Sequence, residues 1–293
     1  MRRLAFAALA LAFAACTTSP QSDAPQAGRL SPAAKSQTLI WAPNVYQVNA
    51  YTLDGVAVTQ IKGFFDAVAV CTDSVGDLYV ADDSRQVIFE YAPEGSLPIN
   101  VFDDAGQEPV SCAVSPLSGN LAVANGSNVV VYPASQSAMP VAYTTPEIAS
   151  YACVGYDASG NLYADGYGND KSFQLATLRA GGSSLASTRV ATLNNRKHGA
   201  GGLAWDGKYL VVADPLTYEL YRIALQGSSG TVAHAERIRG WHDRFAVQFA
   251  LWGKKLLFPL NDKLLIFHYP PKGRASGGFS ARLNHVVALS TSL

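Results

Sequence analysis

Charge is scarce in this chain, and it cancels. Only 15% of the 293 residues are charged, 22 basic against 22 acidic. A net charge of zero gives no long-range pull on nucleic acid or an anionic membrane, so neither is expected as a partner. Long apolar runs are also missing. A membrane-crossing helix takes about 20 apolar residues, and the run from Leu4 to Ala15 stops at twelve. The four cysteines (Cys16, Cys71, Cys112, Cys153) include no close pair of the kind zinc sites use. No Gly-x-Ser-x-Gly turn is present to expose a nucleophilic serine. Glutamate first occurs at Glu90. Simple routes to catalysis are therefore thin.

What the chain does have is a repeat. Two or three apolar residues, then Asp or Asn, then a second apolar run recur six times, ending at Asn44, Asp82, Asn125, Asp165, Asp214 and Asn261. The copies stand 38, 43, 40, 49 and 47 residues apart. Repeats of this length built from short strands predict a β-propeller, one blade per repeat. The expected fold is all-β: six four-stranded antiparallel blades over residues 38–293, with strands a to d running outward from the axis. The first blade begins at strand b, with Leu39 to Ala42, and lacks a strand a. The last strand-like run, His285 to Ser290, has no blade after it. The C-terminal strand is therefore expected to complete the N-terminal blade, closing the ring without a free edge. The six Asx residues fit turn chemistry better than a ring of ligands, because an Asx side chain accepts backbone N–H bonds at strand ends. Tyrosines that end strand c (Tyr51, Tyr91, Tyr132, Tyr221, Tyr269) are expected between blades.

Ahead of the repeats, Arg2-Arg3, the apolar run and Ala14-Ala15-Cys16 read as an export signal over residues 1–16. The small-small-Cys ending resembles the bacterial lipobox, with Phe13 where leucine is usual. That resemblance implies that Cys16 is acylated and anchors the chain in a membrane, periplasmic or at the cell surface. Thr17 resembles the residue of lipoproteins forwarded to the outer membrane. Cleavage at an Ala-x-Ala site remains the alternative. Residues 17–37, rich in Ser, Thr, Pro, Gln and Ala, read as a flexible tether.

The other three cysteines are 41 and 41 residues apart and fall on one face of equivalent inner strands. Two readings stand: small buried side chains near the axis, or a Cys112–Cys153 bridge with Cys71 left over.

The phrase Tyr79-Val80-Ala81-Asp82 with Val87-Ile88-Phe89 resembles the NHL repeat, and Gly160 to Tyr163 resembles bacterial surface propellers. The Asn-x-Arg usual after the NHL aspartate is absent. Among six-bladed enzymes, the gluconolactonase family holds a divalent metal through a Glu near the first blade, which this chain lacks. The amidating lyases hold zinc through axial histidines, whereas His198, His234, His242, His268 and His285 are dispersed. Of these, His198, His242 and His285 are the trio that top-face loops could gather.

Propeller topology places the b–c turns and d–a connections on one face, called the top. Its charge is divided. Blades two and three supply Phe64, Phe65, Asp66, Asp82, Asp83, Asp103, Asp104 and Glu108. Blades five and six supply Arg196, Lys197, His198, Arg239, Trp241, His242, Asp243 and Arg244, with Arg282 and His285 beyond. Arginine beside tryptophan combines apolar area with directed donors, a common make-up of binding hot spots. The second group is the candidate ligand-binding site. The expected function is that of an exported, lipid-anchored, monomeric propeller binding a protein, peptide or glycan on its top face. No cofactor or metal is expected, and membrane contact is through the N-terminal lipid only. The alternatives are a metal-dependent hydrolase or lyase at the axis, and an envelope scaffold.

Overall fold

A computed structural model describes residues 24–28, 38–93, 95–104, 107–135, 137–242, 248–260, 263–272, 274–280 and 290–292. The described residues form six antiparallel sheets. Blade one holds β1 (Gln26–Ala27), β2 (Leu39–Asn44), β3 (Gln47–Tyr51) and β4 (Ala57–Lys62). Blade two is β5 (Ala67–Thr72), β6 (Leu78–Asp82), β7 (Val87–Tyr91) and β8 (Asn100–Asp103). Blade three is β9 (Pro109–Val114), β10 (Leu121–Asn125), β11 (Val129–Tyr132) and β12 (Val141–Tyr143). Blade four is β13 (Ser150–Tyr156), β14 (Leu162–Tyr167), β15 (Phe173–Leu178) and β16 (Ala186–Ser187). Blade five is β17 (Leu203–Trp205), β18 (Leu210–Asp214), β19 (Glu219–Gln226) and β20 (Ser229–Arg237). Blade six is β21 (Ala250–Trp252), β22 (Lys255–Leu260), β23 (Lys263–His268) and β24 (Gly277–Ser280). The expected all-β, six-bladed architecture is the observed one.

The ring closes where expected. β25 (Ser290–Ser292) pairs antiparallel with β2, placing Trp41 opposite Ser290. The observed strand starts at the last residue of the run expected to form it; His285 to Leu289 lie outside the described residues. Blade one also gains a fifth strand. Gln26 and Ala27, inside the stretch expected as a tether, pair with Lys62 and Ile61 on the outer edge of β4. Pro25 is buried there, and the Tyr91 hydroxyl donates to its carbonyl at 3.0 Å.

Local chemistry explains the turns. Between strands a and b, Asp73 Oδ1 accepts the N–H groups of Val75 and Asp77, and Asp157 Oδ1 those of Ser159 and Asn161. Each turn closes on a glycine with positive φ, Gly76 at 91° and Gly160 at 78°, a region where other residues are strained.

The core lies between blades. Strand b is buried throughout in blades two, three and five, since both of its faces pack on neighbouring sheets. Phe102 of blade two meets Tyr132 of blade three edge-on at 5.3 Å. Tyr51, Tyr91, Tyr132 and Tyr221 are buried among apolar side chains, as read from the sequence; Tyr221 lies near the start of β19 rather than at its end, and Tyr269, the fifth, is half-buried. No helix among the described residues is long and apolar enough to cross a membrane.

Candidate functional site on the top face and axis

The Asx positions organise the top face. Asp82, at the end of β6, accepts the N–H groups of Phe65 and Asp66 at 3.0 and 3.1 Å and binds Arg85 Nη1 at 2.6 Å. Asp214, at the end of β18, accepts Gly199, Leu216 and Thr217 N–H through Oδ1 and pairs with His198 Nδ1 through Oδ2 at 2.8 Å. In each case one carboxylate ties a b–c turn to the preceding d–a connection, so both belong to one end of the ring. Asn125 Nδ2 donates to Asn128 Oδ1 at 3.0 Å. Asp165 sits within β14 rather than at its end, and accepts Gly201 N–H from the next blade at 3.0 Å. Its Oδ1 has no hydrogen-bond partner among the described residues. Burial first, then the charge of Asp214, hold the Asp165 carboxyl well above the usual range. Asn261 lies outside the described residues.

The two halves of the proposed cationic group meet across one turn. Gly199 packs on Pro215 and Leu216: a Cβ added there would lie 2.9 Å from Pro215 Cγ. On the other side the Tyr218 ring meets Trp241 edge-on at 5.8 Å. Tyr218 is held at φ 62°, a left-handed conformation that costs a non-glycine residue about 1–2 kcal/mol. The turn from Asp214 to Tyr218 therefore carries Arg196, Lys197 and His198 on one flank and Arg239, Trp241 and His242 on the other. Arg196, Lys197, Arg239 and His242 are exposed, His198 is half-buried, and Leu216 projects from the turn at 38% exposure.

Trp241 stands apart from this group. It is only 3% exposed and stacks edge-on against Phe258 at 5.0 Å. The indole is a wedge beneath the surface, and a ligand would meet the cations around it. Asp243, Arg244, Arg282, His285 and Cys16 lie outside the described residues.

The acidic half is crowded. Burial and the neighbouring carboxylates Asp66, Glu108 and Asp82 raise Asp83; burial and Asp82 raise Asp66. Phe65 is exposed, with the Arg85 guanidinium 3.6 Å from its ring centre. Phe64 is buried against Phe89. Asp104 is 3% exposed and bonded to the Tyr132 hydroxyl, so it belongs to the interior.

The axis holds a cavity of about 200 Å³ lined by strand-a residues, among them Cys71, Cys112, Cys153 and Tyr156, and by Gln248 and Phe249 just ahead of β21. All three cysteines face it, as their spacing implied. Their pairing differs from the bridge read from the sequence. Cys71 and Cys112 form the disulfide, with Cα atoms 5.8 Å apart, and Cys153 is the free, buried thiol. The reason is local: Cys153 Sγ lies 3.2 Å from Ser111 Oγ, on the residue beside Cys112. Burial and the Asp165 charge push the Cys153 thiol up to about 12, which leaves it inert. Gln248 Nε2 donates to Val110 O at 2.9 Å, bridging blades six and three. Among the described residues no three His, Cys, Asp or Glu side chains converge as a metal set.

Sequence reasoning did not single out Gln248 or Ser111, and it read Asp165 as a turn residue like the other five Asx positions. One signal for Gln248 was available: it is a polar side chain set among the apolar residues Ala246, Val247, Phe249, Ala250 and Leu251.

No known sequence family matches the chain, and no curated protein sequence does. Solved structures do resemble it. A chain of the nidogen/laminin complex has a TM-score of 0.70 at 14% identity, covering 87% of this chain and 98% of that one. A protein of unknown function from Bacteroides caccae has a TM-score of 0.65 at 12% identity, covering 88% and 99%. Virginiamycin B lyase from Staphylococcus aureus has a TM-score of 0.60 at 12% identity, covering 89% of each chain. At these identities the likeness is one of fold: a six-bladed β-propeller.

Proposed function

We propose that this chain is an exported, lipid-anchored propeller that binds a protein, peptide or glycan through its top face and performs no catalysis there. The observation that carries this reading is the turn from Asp214 to Tyr218. It holds exposed Leu216 between Arg196 and Lys197 on one flank and Arg239 and His242 on the other. An apolar tip bordered by cations favours an anionic partner with an apolar contact, and fixed charge mainly sets partner choice and association rate. The buried Asp214 carboxylate supports the flank by orienting His198 and the turn together. Export and anchoring rest on Arg2-Arg3, the apolar run and Cys16.

Two measurements test this. A photo-crosslinking residue in place of Leu216 should capture a partner in cells, and the triple change Arg196→Ala, Lys197→Ala, Arg239→Ala should reduce capture at least tenfold. An unchanged yield in the triple variant defeats the top-face assignment. For the anchor, labelled palmitate should enter the full chain and be lost with Cys16→Ser.

A further inference from the structure

The outer rim shows a second surface, away from the top face and independent of the reading above. On blade one the rim is already occupied. β1 lies along the outer edge of β4, and Tyr91 at the end of β7 in the next blade donates its hydroxyl to Pro25 O at 3.0 Å. A related contact recurs one blade on, where the tyrosine reaches the fourth strand itself. β8 is the outermost strand of blade two among the described residues, and Tyr132 at the end of β11 reaches Asp103 O on β8 at 3.2 Å. Here a groove of about 340 Å³ lies beside the edge, lined by Val101, Phe102, Tyr132, Pro133, Ala138 and Pro140 among others. A second hollow of about 220 Å³ shares Phe102, Tyr132 and Pro133 with it and runs inward to Asp73 and Glu90.

The hydrogen bonding of β8 fits an additional strand. Asp104 N–H bonds Gln86 O, so in this antiparallel ladder the bonded pairs are Asp104/Gln86, Phe102/Ile88 and Asn100/Glu90. Val101, between them, turns its N–H and C=O away from β7. The Val101 N–H is held by the Asn100 side chain at 2.9 Å, a local stand-in for a strand partner.

The side chains fit it too. Leu97, Ile99 and Val101 recur at every second position and are 51%, 57% and 48% exposed, and Met139 and Val141 of blade three are 82% and 46% exposed. Natural edge strands are usually blunted with lysine or proline against such exposure; β8 itself has neither, and Pro98 stands only in the segment leading into it. Charge selects the occupant. Asp73, Glu90 and Asp103 line the two hollows, and among the described residues neither has a lysine or arginine in its wall. Burial with Asp73 and Glu90 raises nearby Asp77, a sign of how concentrated the negative charge is. Pairing β8 with β8 of a second copy would bring these carboxylates together, which opposes self-association.

We propose that the groove between blades two and three takes up an extended apolar segment of a partner protein, bearing lysine or arginine, as an added strand on β8. Main-chain bonds along Val101 supply affinity, the groove takes alternate side chains, and the carboxylates at its end fix the charge of the occupant.

The test uses the full chain and two fluorescent, end-capped nonapeptides alternating valine with lysine, or valine with glutamate, about a central proline. Anisotropy should show the lysine peptide binding at least tenfold more tightly than the glutamate peptide. Val101→Pro removes an N–H that the β7 ladder does not use, at the cost of the local bond to Asn100 Oδ1, so it should weaken the lysine peptide at least tenfold while the protein stays folded, with its thermal midpoint lowered by a few degrees at most. Asp103→Lys, which leaves the backbone intact, should narrow the gap between the peptides. Equal binding of both peptides, or a lysine-peptide affinity that neither variant changes, overturns the proposal. So does a concentration-dependent dimer in sedimentation equilibrium that Val101→Pro abolishes, because the edge would then belong to a second copy.

Discussion

The side chain of Gln248 donates to the main-chain carbonyl of Val110 across the centre of the ring, 2.9 Å away. Blades six and three lie opposite each other in a six-bladed circle, so a single amide spans the axis. Val110 is near the top of strand a, and Cys112 lies further down the same strand. The bridge thus covers the cavity that the cysteines line.

Removing the bridge should cost a modest, measurable amount. Gln248→Ala is expected to lower the unfolding free energy by about 1 kcal/mol, the usual net worth of such a bond. Gln248→Glu should be worse at pH 7, because a carboxylate then faces the carbonyl. That extra loss should fade below about pH 4, where the acid regains a proton to donate. Urea titrations of both variants across pH give the comparison.

Asp165 predicts a pH dependence with a definite sign. Its folded pKa lies well above the unfolded value of about 3.9. The native state therefore keeps a proton that the unfolded chain releases, and this contribution to stability is complete below about pH 4. It is lost as pH rises toward the folded pKa, at up to about 1.4 kcal/mol per pH unit. Asp165→Asn keeps the neutral form. The stability difference between variant and wild type should grow in the variant's favour as pH rises above about 4, measured by urea melts from pH 3 to 8.

The cysteines predict two separate behaviours. Opening the Cys71–Cys112 bridge, whose ends are 41 residues apart, by Cys71→Ser with Cys112→Ser should cost about 4 kcal/mol through the freed chain entropy. Cys153, buried with its thiol pushed up to about 12, should resist a thiol reagent at pH 8 in the native protein. In denaturant it should react stoichiometrically. Rapid native labelling would contradict the buried placement.

Tyr91→Phe tests the strand that rides on blade one. Loss of the bond to Pro25 should cost about 1 kcal/mol. It should also speed hydrogen exchange at Gln26 and Ala27 severalfold while leaving exchange in β6 unchanged.

The blades were legible because strand b repeats an apolar run ended by Asx, and because the a–b turns carry Asp and Gly where the backbone requires them. Outer strands such as β16 and β24 were not, since Ala186–Ser187 and Gly277–Ser280 have no alternation that burial would impose. Asp214 and His198 were each noticed, yet their pairing lies 16 residues apart across a turn and has no local signature. Trp241 carried a misleading signal: arginine and histidine neighbours suggested a surface residue, whereas Tyr218 and Phe258 enclose its ring. The cysteine pairing was undecidable by spacing, because both separations are 41.

The pairing of β25 with β2 also sets an order of events. Ser290 to Ser292 meet Leu39 to Trp41, the two ends of the ring, so this contact closes nearly the longest loop the chain can make. Blades two to six can each form from nearby sequence, while blade one waits for the last strand to arrive. The ring is fastened like a belt, and its buckle joins the residues that lie furthest apart along the described chain within one sheet.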